Sequence, residues 1–217
     1  MCFSLTASLA ASAVLIPAGV YSVIRASRYN HRYLLFSFIP LFFGIQQFSE
    51  GMVWYGLDVG DFYIIHHASL AFLFFAFFWW PWYMPLSLFF LEEKHSQRRL
   101  ILLLAIMGFL LGADLYASIV FNVIPLTAVV ANKSIKYITY QATPMVISHV
   151  FSYIAIMVFS LWVSSIRAVN YFGLLILLSV IISLLFYLVV FISVWCFFAA
   201  LLSLYIGYVV RTSPIPE

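Results

Sequence analysis

The chain has 217 residues, of which 66% are hydrophobic and 8% charged, where a soluble domain carries roughly 45–50% apolar and about 25% charged residues. That balance excludes a water-soluble enzyme and puts nearly the whole chain, 1–217, into a bilayer as one transmembrane domain. A net charge of +3 confined to loops gives no ground for a nucleic-acid partner, and two cysteines exclude a disulfide-rich or zinc-ribbon scaffold.

Apolar runs of spanning length, about 20 residues, cover Leu5 to Ile24, Tyr33 to Leu57, Phe62 to Leu91, Leu100 to Phe121, Met145 to Ile166, Tyr171 to Tyr187 and Val190 to Val210. The first has no basic residues before it and is expected to be a retained span, not a cleaved signal. It carries Ser4, Ser8 and Ser12 at every fourth position, a stripe that reads as helix packing, as do Gly108 with Gly112 and the Ser193, Cys196, Ala200, Ser203, Gly207 stripe of the last span. In the third run, Pro81 and Pro85 each remove a helical hydrogen bond, so a kink is expected, with the surrounding tryptophans as an inner aromatic belt. Residues 122–144 form the outer loop, whose core from Val129 to Tyr140 reads as a short hairpin over the outer mouth. The stretch from Ala168 to Val210 holds no charge, but as one helix it would be about 65 Å long, twice a hydrocarbon core. A break near Tyr187 to Val190 is therefore required, which makes seven spans.

Charge placement fixes their direction. Arg25, Arg28, Arg32, Lys94, Arg98, Arg99, Arg167 and Arg211 fall on one side of a seven-span arrangement, and only Lys133 and Lys136 on the other. Eight against two is a positive-inside bias. The fold class expected is thus all-α: a polytopic bundle of seven transmembrane helices, N-terminus outside and C-terminus inside.

Ionisable groups within spans cost on the order of 2.5–3.5 kcal/mol for an Asp at a helix centre and need a reason. Here they are Glu50, His66, His67, Asp114 and His149, all about 6 to 10 Å below the outer helix ends by the helical rise. Gln46 lies one turn from Glu50, Gln47 beside it, and Trp54 one turn outward. This layer predicts an outward-facing polar pocket with Glu50, Gln46, Gln47, Trp54 and Asp114 as ligand-binding residues. No Lys or Arg within a span can neutralise Glu50, so a protonated or hydrogen-bonded carboxyl is expected. Histidine and carboxylate also make His66, His67, His149 and Asp114 candidate ligands for Zn²⁺. Cys2 and Cys196 come to similar depth on the outer side, where they either pair as a disulfide or stay separate thiols.

Several chemistries are missing. The last span has no lysine for a retinal Schiff base, and no HExxH, GxxxxGK or GxSxG pattern occurs.

The opening Met1-Cys2-Phe3-Ser4 with Ala7-Ser8, the run Ile39-Pro40-Leu41-Phe42-Phe43 followed by Gln46-Gln47 and Glu50-Gly51, Trp80-Pro81 with Pro85, and Ser193-Val194-Trp195-Cys196-Phe197-Phe198-Ala199-Ala200 are similar to an uncharacterised family of bacterial integral membrane proteins. The resemblance runs from end to end. It implies a seven-span protein of the bacterial inner membrane with Cys2, Gln46, Gln47, Glu50 and Cys196 as motif residues, and it implies no activity.

Three functions compete on these residues. The first is a nonenzymatic protein that binds, senses or transports a small ligand or lipid headgroup in the outer pocket. The second is a membrane-embedded metal hydrolase of lipids, with Glu50 as base for a zinc-bound water. The third is thiol or haem redox work, with two histidines as axial ligands. The absence of any catalytic spacing favours binding.

Overall fold

The computed structural model describes residues 4–121, 126–139 and 144–213, with only the backbone of 144–147. The described chain is helical apart from one hairpin. Helix α1 (Leu5–Tyr29) is followed by a short turn of helix, α2 (Leu34–Ser37), and by α3 (Ile39–Val59). Next come α4 (Phe62–Leu73), a π-helical stretch over Phe74–Trp79, α5 (Trp80–Leu91) and α6 (His95–Val120). The strands β1 (Thr127–Ala131) and β2 (Ser134–Ile138) precede α7 (Pro144–Val163), α8 (Arg167–Phe186), α9 (Phe191–Leu202) and α10 (Leu204–Thr212).

Five of the described helical runs are long and apolar enough to cross a membrane: Leu5–Tyr29, Phe62–Leu91, His95–Val120, Arg167–Phe186 and Leu188–Thr212. Helix α3 has 21 residues but spends three of its interior positions on Gln46, Gln47 and Glu50. Between α8 and α9 the chain breaks at a 3₁₀ turn, Leu188–Val190, where the length argument requires one.

Pro81 shapes the third run differently from a simple kink. A proline has no N–H to return to the carbonyl four residues back, and its ring crowds that carbonyl. The helix responds with the π stretch directly before it, in which the Trp80 N–H reaches back five residues to the Phe75 carbonyl. The extra residue turns Trp80 and Tyr83 inward, where they are 2% and 5% exposed. These two rings therefore belong to the core, not to an aromatic belt: Trp80 stacks on Phe43 at 3.8 Å between centroids, and the Tyr83 hydroxyl donates to the Leu35 carbonyl.

Small residues bring the helices together, as lipid tails give no hydrophobic drive between them. Helices α1 and α3 pack through Gly19, Gly44 and Gly51, each facing the other helix, with Ser8 and Ser12 buried on the same face of α1. Gly108 and Gly112 of α6 lie against the backbone of the π stretch and of Pro81.

The two ends of the bundle differ in charge. At one end Arg25 donates to the Arg211 carbonyl, Arg32 donates to the Leu91 carbonyl and pairs with Glu93, and Glu92 accepts from Ser164 and Ser165. These contacts draw the basic turns after α1, α5 and α7 and the end of α10 to a single face. At the other end Asp61 caps α4 by accepting from the backbone N–H groups of Tyr63 and Ile64. There the hairpin closes through Asn132 and Lys133, whose φ angles of 47° and 61° are those of a two-residue primed turn. Strand β1 rests against α4 and β2 against α9, and Tyr137 stacks on Phe72 at 4.9 Å.

Candidate functional site

Helix α3 presents Gln46, Gln47 and Glu50 inward on successive turns, all 2% exposed or less. Gln46 and Glu50 are each met from a different element. Trp80, aimed by the π stretch, donates its indole N–H to Gln46 Oε1 at 2.7 Å. From α9, the Ser193 hydroxyl donates to Glu50 Oε1. From β2, Ser134 Oγ stands 3.0 Å from Ser193 Oγ. A serine hydroxyl has one proton. Since that of Ser193 goes to the carboxylate, Ser134 is the donor of the pair, and a relay runs Ser134 to Ser193 to Glu50.

Polar atoms in excess surround this relay. The Gln47 amide lies against the Glu50 carboxyl, yet neither its nitrogen nor its oxygen is in hydrogen-bonding geometry. Gln46 Nε2, the Tyr137 hydroxyl and Trp195 Nε1 are likewise buried without a partner among the described residues. Buried polar groups are almost always paired, so these atoms have hydrogen-bonding capacity that a water or ligand would satisfy. Tyr137 lies within electrostatic reach of Glu50 and Cys196; burial first, and then these two neighbours, hold its phenol protonated well above the usual tyrosine range.

Cys196 and Tyr137 also border a cavity of about 220 Å³. Four aromatic rings stand in its other walls, Phe77 from the π stretch, Tyr153 from α7, and Phe191 and Trp195 from α9, with aliphatic side chains such as Leu115, Ile154 and Ile192 between them. Trp195 is fixed there between Phe191, stacked at 5.3 Å, and Tyr153, edge-on at 5.5 Å. His149 and Val150 line the cavity where α7 meets the surface, His149 with 24% and Val150 with 41% exposure.

The predicted layer is thus divided. Glu50, Gln46 and Gln47 form the buried centre, and Trp54, 9% exposed, packs in the apolar cluster with Phe72, Tyr137 and Cys196. Asp114 and His149 meet at the cavity's outer edge, Oδ2 to Nε2 3.8 Å, with the Asp114 side chain 64% exposed. His66 and His67 are exposed on α4, where His67 Nδ1 contacts the Tyr63 carbonyl oxygen at 2.9 Å. Among the described residues no three His, Cys, Asp or Glu side chains gather so as to hold a metal ion. Cys196 is a buried thiol without a disulfide partner among the described residues, and Cys2 lies outside them.

The sequence assigns Ser134 and Tyr137 no site role, places Trp80 in an aromatic belt and a family motif, and offers Ser193 as a packing and motif position. Its one usable signal was Glu50 itself, an acid with no cation in any span, which must find hydroxyl or amide partners on neighbouring elements.

The chain matches, over residues 1–217, a family described as a family of unknown function (DUF6629), and it belongs to that family. No curated protein and no solved structure matches it.

Proposed function

We propose that this is a nonenzymatic membrane protein of seven spans, N-terminus outside and C-terminus inside the bacterial inner membrane, which binds a small, largely apolar ligand for sensing or transport. The observation that carries the reading is the cavity of about 220 Å³ lined by aromatic and aliphatic side chains and bordered by Cys196 and Tyr137 beside the buried Glu50 centre. Pockets for small molecules are mainly apolar, with a few polar groups that set orientation. The size suits a one-ring molecule or the end of a longer one, since a 150 Å³ apolar cavity already takes benzene. The exposure of His149 and Val150 at its edge supports entry from the side of the bundle, in the outer half of the membrane.

The gathering of the basic turns on one face supports the orientation, because that face takes eight of the ten lysines and arginines. Helices α3 and α7 complete the seven spans, α3 shielding its polar residues from lipid by packing them against α5 and α9.

The test is retention of a small molecule. Protein in lipid nanodiscs, stripped of small molecules and incubated with an extract of its own membranes, is expected to retain a species of matching size that is released on denaturation and identified by mass. Leu115→Trp, which fills the cavity, should lose it. Equal retention by both proteins, or none by either, overturns the reading.

A further inference from the structure

The Glu50 carboxyl is 2% exposed and meets no Lys, Arg or His; the ion pairs among the described residues are Arg32 with Glu93 and His149 with Asp114. The titratable groups that face it are Tyr137 from β2 and Cys196 from α9, and neither can offer a positive charge. From α5 the nearest polar group, the Trp80 indole, is already given to Gln46. A carboxylate in a low-dielectric interior requires either a proton or a cation.

Several oxygens gather near it. Glu50 Oε1 holds the Ser193 hydroxyl, Ser193 Oγ is 3.0 Å from Ser134 Oγ, and Gln47, fully buried against the carboxyl, keeps its Oε1 without any partner. The Tyr137 oxygen, also unpartnered, lies within electrostatic reach of the same carboxyl. A proton on Glu50 could bond at most one of these acceptors. A cation among them draws a lone pair from several at once, because each hydroxyl can turn its hydrogen outward. Hard oxygen donors select hard cations. One carboxylate among neutral oxygens balances a single positive charge, whereas Ca²⁺ or Mg²⁺ would leave an excess charge buried.

We propose that Glu50, Gln47, Ser193 and Ser134, with Tyr137 beside them, form a binding site for a monovalent metal cation, for which Na⁺ is the probe. The site draws on three elements remote in sequence: α3, the hairpin and α9. It does not rest on the cavity holding a ligand, though an occupied site would fix the wall that Tyr137 and Cys196 give to that cavity.

The experiment measures the unfolding temperature of the full chain in nanodiscs as NaCl replaces choline chloride at constant ionic strength, at several pH values, with ²²Na⁺ binding measured in parallel. A ligand that binds only the folded state raises stability with the logarithm of its concentration above Kd. The wild type is expected to show such a Na⁺-specific rise together with saturable ²²Na⁺ uptake. Glu50→Gln, which keeps the shape and removes the charge, should show neither. Ser193→Ala keeps the charge and serves if Glu50→Gln does not fold; it should raise the half-saturating Na⁺ concentration about tenfold or more, the effect of losing one ligand bond. Identical unfolding in Na⁺ and choline overturns the proposal. So does a pH response with no Na⁺ dependence, which would make the occupant a proton alone, and so does a Na⁺ response that survives in Glu50→Gln.

Discussion

Gly108 of α6 lies so close to Pro81 that a Cβ built on it would stand 1.8 Å from the Pro81 carbonyl oxygen. Pro85 has no N–H to return to that same carbonyl, so the α5 backbone turns an oxygen toward its neighbour where the neighbour has no side chain. Gly108→Ala must push α6 off α5. It is expected to cost about 3 kcal/mol or more, at or beyond the upper end of ordinary overpacking. Gly207→Ala, whose added carbon would meet only Ser22 Oγ at 3.4 Å, should be near neutral. Thermal unfolding of the two variants side by side in detergent checks the difference.

Removing the Ser193 hydroxyl leaves the buried Glu50 carboxyl without its donor. Ser193→Ala is expected to destabilise the protein by about 1–3 kcal/mol, the cost of an unsatisfied buried polar group. Because the loss belongs to the pair, the same substitution in a Glu50→Leu background should cost less than half as much. A double-mutant cycle on unfolding free energies measures the coupling, and additive costs would mean that the two side chains do not act together.

Cys196 reports on the cavity through its accessibility. As a buried thiol in apolar surroundings it should react with N-ethylmaleimide on the order of a hundredfold more slowly in the folded protein than in denaturant. The reagent is small enough to enter the cavity, so Leu115→Trp should slow the folded-state reaction further. Peptide mass mapping after timed quenching separates labelling at Cys196 from labelling at Cys2. A rate unchanged by Leu115→Trp would show that the reagent reaches the thiol by another route.

Glu92 gives the end of the bundle that gathers the basic turns its own pH dependence. Burial by itself raises its pKa, but the Ser165 hydroxyl and backbone N–H, the Lys94 N–H and the Ser164 hydroxyl all donate to the carboxylate and outweigh it, so the folded-state pKa lies below the ordinary one. A depressed carboxylate pKa contributes stability that is complete above the unfolded value, about 4.3, and is lost as pH falls through the folded one. The wild type should therefore lose about 1.5–3 kcal/mol, the worth of hydrogen bonds to a charged group, on acidification through this range. Glu92→Gln should be less stable at neutral pH and flatter below it, as read by unfolding temperature against pH.

The bundle was largely legible because its signals are local. Breaks at Arg25 to Arg32, Glu92 to Arg98 and Tyr187 to Val190 interrupt apolar runs, and the chain turns at each. Glu50 with Gln46 and Gln47 was legible because burying an acid and two amides in a span is expensive. Their partners were not, because they depend on which elements lie opposite. Trp80 reaches Gln46 only through the one-residue shift of the π stretch, and Ser134 reaches Ser193 only because the hairpin folds down onto α9. The direction of the histidines was not legible: His66 and His67 stand on an exposed face of α4.

The donor that holds the Glu50 carboxyl lies 143 residues further along the chain. In the proposed seven-span arrangement, α3 therefore enters the membrane with its acid and both amides unanswered. Trp80 answers Gln46 once α5 is made, but the acid waits until α9 arrives with Ser193. Throughout that interval α3 depends on its glycine contacts with α1, already inserted, and on whatever holds polar segments at the insertion machinery. A chain cut short before α9 would leave an unpartnered acid inside the bilayer, a mark by which membrane quality control could tell it from the finished protein.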